Sequence, residues 1–239
     1  MTPVETDPPA DGTALTPDPW MTVGSVWRQP SFVLLATQLA GVLLYPFLDQ
    51  STIGRIVFSL FTLLVLVLAI RAVRATPALD WVSVLIGIPV AILTVLEAIS
   101  PTDPTIVLWS GILHATFYLF VSQAFLRYMF FDRVVTLDEL FAVGAVFTVL
   151  AWAFAYIFSA VQVIWPGSFT AAIDPQAPRT WFELLFLSFT TLTSTGLSDV
   201  IPILPNARSV VMIEQVLGLM YVALVISRIV GLTLRPIRN

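Results

Sequence analysis

The chain has 239 residues, 58% of them hydrophobic and only 11% charged, with a mean hydropathy of +0.93 and a formal net charge of −4. A soluble domain of this length needs a far more polar surface, so the bilayer is the expected solvent. Cysteine is absent and histidine occurs once, at His114, which excludes disulfides, thiolate chemistry and a multi-histidine metal site within one chain. No basic stripe is present to hold a nucleic acid.

Residues 1–30 are rich in Pro, Asp and Thr and lack a basic region followed by an apolar one. They read as a disordered cytoplasmic tail rather than a signal peptide, with Trp20 and Trp27 at the membrane interface. Apolar runs follow at 31–48, 53–71, 81–99, 105–126, 140–164 and 208–232, against the ~20 residues that a spanning helix needs. They predict six transmembrane helices in an all-α membrane protein, with Pro46 and Pro89 kinking the first and third. The fourth run carries no arginine at every third position, so residues 31–126 form a four-helix domain that is not a voltage sensor.

Residues 127–139, "RYMFFDRVVTLDE", mix apolar and charged side chains and predict an amphipathic linker helix, its end set by Thr136, Asp138 and Glu139. With the N-terminus inside, Arg28, Arg71, Arg74, Arg127, Arg133, Arg228, Arg235 and Arg238 face the cytoplasm, against Arg55, Arg179 and Arg208 outside. That imbalance places both termini in the cytoplasm. Residues 233–239 are expected to be a short tail with no soluble domain beyond them.

Between the fifth and sixth runs lies "TTLTSTGLSDVIP", Thr190 to Pro202, which holds six hydroxyl side chains, a glycine and an aspartate. It is preceded by Thr180 and Glu183, a T-x-x-E capping box that starts a helix near Trp181. That helix is too short to cross the bilayer. Polar backbone at membrane depth is tolerated only where it is buried in protein or lines water. The segment therefore predicts a re-entrant loop, entering as a pore helix and returning as extended chain. The negative end of the helix dipole then points at the membrane centre and suits a cation. Gly196 permits the left-handed conformations that turn successive carbonyls to one side. Oxygens of Thr193, Ser194, Thr195 and Gly196 can replace the hydration shell of K+ or Na+. One such loop cannot ring an ion, so copies about a central axis are required.

The stretch from Trp181 to Leu232 resembles the pore of tetrameric potassium channels, whose filter reads T-x-G-Y-G-D. In that resemblance Ser194 takes the threonine position, Thr195 the valine, Gly196 the first glycine, Leu197 the tyrosine, Ser198 the second glycine and Asp199 the aspartate. It implies a homotetrameric pore domain over 140–232, with outer helix 140–164, pore helix 181–193, filter 194–199 and inner helix 208–232. It further implies a hinge at Gly218, and the inner-helix stretch also resembles that of bacterial members, which implies a prokaryotic cell membrane. The filter departs from the family at Leu197 and Ser198, and Phe186 and Leu187 stand where many potassium channels place aromatic residues that strap the filter. The upper ion sites are therefore expected to be wide, hydrated or absent. A left-handed Ser198 would cost on the order of 1 kcal/mol or more, unless the upper filter adopts another path.

Glu214, inside the inner helix, is expected to brace the filter by hydrogen bonding to the Thr190–Thr193 hydroxyls, with direct ion binding as the alternative. Leu219, Val222, Ile226 and Val230 are expected to line the cavity and an apolar gate. Arg228 is expected to meet lipid phosphate. His114 reads as a packed helix residue with a hydroxyl or backbone partner, with pH sensing as the alternative, and Glu97 as a residue reaching the interface. No nucleophile–base–acid set points to an enzyme, and no cofactor beyond a monovalent cation, most simply K+, is implied. Lipids and further copies of the chain are the expected partners. The rival readings are a Na+-permeable pore, a pore-fold scaffold or sensor that does not conduct, and a transporter, for which no inverted repeat is visible.

Overall fold

A computed structural model describes residues 29–48, 52–74, 80–131 and 136–233. The expected tail with Trp20 and Trp27, the linker residues 132–135, and Arg28, Arg133, Arg235 and Arg238 lie outside the described residues. The helices are α1 (Pro30–Leu48), α2 (Thr52–Arg74), α3 (Asp80–Ile99), α4 (Pro104–Phe131) and α5 (Leu137–Ile164), followed by the short α6 (Trp181–Leu192) and by α7 (Pro205–Thr233). Two-residue strands, β1 (Phe169–Thr170) and β2 (Ile201–Pro202), flank α6 in the chain and pair antiparallel, Phe169 with Pro202 and Thr170 with Ile201.

Every expected span coincides with a helix. By length and composition α1, α4, α5 and α7 are able to cross a bilayer, while α2 and α3 carry shorter apolar stretches, Ile56–Arg71 and Val84–Ile99. Both α1 and α3 run on through their internal prolines.

The separate linker helix is a correction. Arg127 to Phe131 prolong α4, and Leu137 to Glu139 are already the first turn of α5. Thr136 caps that turn, its hydroxyl accepting the Glu139 N–H at 3.2 Å. The apolar residues Tyr128 to Phe131 continue the helix of α4, and Met129 is buried there.

The core is built around α5, which packs against α1, α4, α6 and α7. Its buried residues include Ala142, Ala145, Ala151, Ala153, Ala155 and Ala160. Small side chains let helix backbones approach closely where lipid offers no hydrophobic drive. On the facing helix Gly111 does the same: a Cβ there would lie 2.9 Å from the Tyr156 carbonyl oxygen.

One end of the molecule is fastened by acids of the first turn of α5. Asp138 accepts from the Ser31 backbone N–H at 3.1 Å and from its hydroxyl at 3.0 Å, neutralising orphan donors at the start of α1. Glu139 pairs with Arg228 of α7 at 3.3 Å, and both side chains are nearly buried. Arg228 therefore meets a carboxylate and the ring of Phe130, 5.4 Å from its centroid, where a lipid phosphate had been expected. The starts of α1 and α5 and the end of α7 thus share one end of the bundle.

Candidate ion-conduction site

The pore helix begins as its capping box dictates. The Thr180 hydroxyl accepts from the Glu183 N–H at 3.2 Å, and the Glu183 carboxylate accepts from the Thr180 N–H at 2.6 Å. A second device, not foreseen, holds the loop that delivers the chain to this point. Arg179 is buried, and its guanidinium donates to the carbonyls of Ile173, Asp174 and Ala177 and to Glu183. Its backbone exchanges two hydrogen bonds with the Gln162 amide on α5. The sequence shows only an arginine at an outer loop; its partners are loop carbonyls, which leave no trace in residue type.

The pore helix ends at Thr193, which keeps a right-handed conformation (φ −79°, ψ −6°). Ser194 then turns left-handed at φ +58° and Gly196 at φ +67°. The left-handed serine is Ser194 and not Ser198, so the upper loop takes the other path the sequence left open. Ser198 instead accepts the Val200 N–H on its hydroxyl at 3.1 Å, a local turn contact.

The reason lies at the end of the helix. The Thr190 carbonyl accepts from the N–H groups of Thr195 and Gly196, each at 3.0 Å, and from the Thr195 hydroxyl at 3.2 Å. The Thr191 carbonyl accepts the Ser194 N–H at 2.9 Å. Successive N–H groups curled round one oxygen form a nest, which requires the left-handed step. In a trans peptide the N–H and the preceding C=O point in opposite directions. The carbonyls of Thr193, Ser194 and Thr195 therefore all turn away from the helix end. Thr193, Ser194, Thr195, Gly196 and Leu197 are all exposed in the single chain.

Thr190 contacts the loop through its carbonyl, and its hydroxyl donates to Leu187 O at 2.8 Å. The Thr193 hydroxyl donates to Phe189 O at 2.7 Å and contacts the Thr195 hydroxyl at 3.0 Å. Leu197 is 80% exposed, and Asp199 is exposed beside it. Leu187 is buried within the protomer, whereas Phe186 is half exposed.

Behind the loop, α7 presents Ala207, Val211, Glu214, Gly218, Tyr221 and Val225 as one buried stripe, the three-and-four spacing of a helix face. Glu214 is fully buried, but its partner is not a filter hydroxyl. The Ser188 hydroxyl of α6 bridges the Glu214 carboxylate and the Ala151 carbonyl, the latter at 2.9 Å, so one serine joins α5, α6 and α7. One turn further along, the Leu192 carbonyl lies so close that a Cβ on Gly218 would stand 2.2 Å from it. That contact accounts for a glycine without any bend, and α7 is unbroken there. Tyr221 donates to Val143 O at 2.6 Å. Leu219, Val222, Ile226 and Val230 lie on other faces of α7 and are exposed.

Two apolar helices thus flank a short capped helix whose loop turns three carbonyls outward, and residues 144–234 match the family model described as ion channel. This segment is a potassium-channel-type pore domain. The match leaves α1–α4 outside it and covers well under half of the chain. Comparison with curated proteins and with solved structures gave no match. The matched residues take in most of α5, all of α6 and all of α7, and Glu214 and Gly218 fasten α7 to α6.

Proposed function

We propose that the protein is a cation channel subunit, spanning the cell membrane six times with both termini in the cytoplasm and conducting K+ passively through a pore shared by four copies. The observation that carries this reading is the carbonyl row of Thr193, Ser194 and Thr195. It leaves the negative end of the pore-helix dipole and turns from the protein toward open space, where a cation loses water to oxygen. The exposed apolar face of Leu219, Val222, Ile226 and Val230 suits the cavity below and a gate that closes by dewetting.

Leu197, largely exposed, offers no phenol to hold the upper filter, and Ser198 is occupied in a turn with Val200. Discrimination of K+ from Na+ therefore rests on the lower oxygens and is weaker than in a T-x-G-Y-G-D pore. Purified protein in liposomes, given K+ and Na+ gradients in turn, tests both statements. The expected result is flux of both ions with a modest K+ preference. A K+ preference of a hundredfold or more in the reversal potential would refute the account of the filter. An assembled protein that passes neither ion favours the scaffold reading.

A further inference from the structure

Behind the pore helix, at the end that carries the Arg179 loop, lies a cavity of about 280 Å³. Its aromatic walls come from four helices: Tyr45 of α1, Phe58 of α2, Tyr156 of α5 and Trp181, the first residue of α6. The rings are inclined to one another. Trp181 lies 5.8 Å from Phe58 at 54°, 5.4 Å from Tyr156 at 48° and 6.3 Å from Tyr45 at 46°. Glu97 of α3 joins them at the wall.

The polar lining includes Ser59, Thr62, Thr94, Glu97 and Thr180. The Thr62 hydroxyl donates to Phe58 O at 3.0 Å, and Thr94 lies 2.9 Å from Val90 O and 3.0 Å from the His114 ring. With Thr62 donating within its own helix, its oxygen keeps acceptor capacity. Glu97 accepts from the Ser110 hydroxyl at 2.5 Å, and no arginine or histidine contacts its carboxylate among the described residues. Ser110 in turn contacts His114, which stacks on Tyr156 at 4.2 Å and 11°, so the same polar network fixes the carboxylate and one aromatic wall. Arg179, which lines an adjoining cavity, is engaged by loop carbonyls and Glu183.

We propose that this cavity binds a small organic ammonium ion, held by the Glu97 carboxylate and the faces of Tyr45, Phe58, Tyr156 and Trp181. An alkali ion needs a shell of oxygens, which rings do not supply. A quaternary or alkylated ammonium spreads its charge over methyl groups and is attracted to aromatic faces. An adjoining cavity of about 580 Å³ shares Glu97, Pro101, Thr180 and Trp181 and gives the approach. The ligand would rest against the residue that starts the pore helix. The inference concerns binding alone and does not depend on conduction.

The chemistry is that of a free alkylammonium or of a choline headgroup, and calorimetry in two lipids separates them. The full chain in phosphatidylglycerol nanodiscs, titrated with tetramethylammonium chloride, is expected to bind saturably, with no such signal from equal NaCl. Glu97→Gln keeps the Ser110 partner and is expected to weaken binding by about tenfold, and Phe58→Leu by several-fold, both with an unchanged melting temperature. In phosphatidylcholine nanodiscs, weakened binding of the probe identifies the lipid headgroup as occupant, and unchanged binding identifies a free cation. Absence of saturable binding, equal affinity in Glu97→Gln and Phe58→Leu, or displacement by K+ at matched concentration each overturns the proposal.

Discussion

Ser194 holds a φ of +58° with a Cβ in place, at a cost on the order of 1–2 kcal/mol. The nest around the Thr190 carbonyl enforces it. Ser194→Gly is therefore expected to raise the melting temperature, by the equivalent of about 1 kcal/mol, and to leave the ion path in place. Gly196→Ala does the reverse: a Cβ there meets nothing within 4 Å, so the penalty is conformational, about 1–2 kcal/mol. It is expected to abolish flux while the assembly survives. Gly196 was legible in the sequence, since only glycine takes this conformation cheaply. Ser194 was not, because the family pattern directs attention to the second glycine position, which Ser198 fills. The path is set by hydrogen bonds back to the pore helix, which no side chain announces. Glu214 is a similar case. Its need for a buried partner is plain from its place in an apolar helix, but Ser188 is one hydroxyl among many. Glu214→Gln keeps an acceptor for Ser188 and should retain most flux and stability. Glu214→Ala removes it and opens a void, costing about 1–3 kcal/mol. Equal loss in both variants, read as flux and as melting temperature, would point to a charge role in the cavity instead.

Pore helix and inner helix are locked at two points one turn apart, the Ser188–Glu214 contact and the seat of Leu192 on Gly218. Gly218→Ala places a methyl 2.2 Å from the Leu192 carbonyl oxygen, so one helix must move. Overpacking of this kind costs about 1–3 kcal/mol. The displaced segment is the last turn before the filter, so flux and thermal stability are expected to fall together. A variant that melts and conducts like wild type would show that the contact is soft. Elements of this sort were largely readable. Length and hydropathy gave the spans, and the T-x-x-E box fixed the start of α6, because caps are local chemistry. The linker failed for the opposite reason. Tyr128 to Phe131 are apolar enough to extend α4, and their mixture with charge reads equally well as an interfacial helix or as a bundle end. The Glu139–Arg228 pair that fastens this end joins residues far apart in the chain.

At the scale of the whole molecule, a single copy is an incomplete object. The faces of α7 that turn from its own protomer expose Leu219, Val222, Ile226 and Val230, and the filter loop is uncovered from Thr193 to Leu197. Lipid can cover the first surface, but it cannot satisfy the second, where three carbonyls and several hydroxyls would meet hydrocarbon. Water or further copies must stand there. One loop supplies oxygens from one side only, and an ion shed of its water needs them all round. A closed ring of identical subunits meets this demand with one contact repeated, and four carbonyl rows suit the coordination of a monovalent cation. Glu139 and Arg228 tie the start of α5 to the end of α7 within each subunit, so the buried pair need not contribute to the contact between subunits. The expected outcome is a homotetramer by native mass measurement, both in mild detergent and in lipid nanodiscs, with Gly196 of every copy near the axis. A cysteine placed at Leu197, exposed and at the mouth, should then crosslink between subunits through a short bis-maleimide, whereas one at Ile88 on the outer face of α3 should not. A monomer or dimer in both media, or crosslinking at Ile88 and none at Leu197, would rule out a pore on this axis and with it conduction by the Thr193–Thr195 carbonyls.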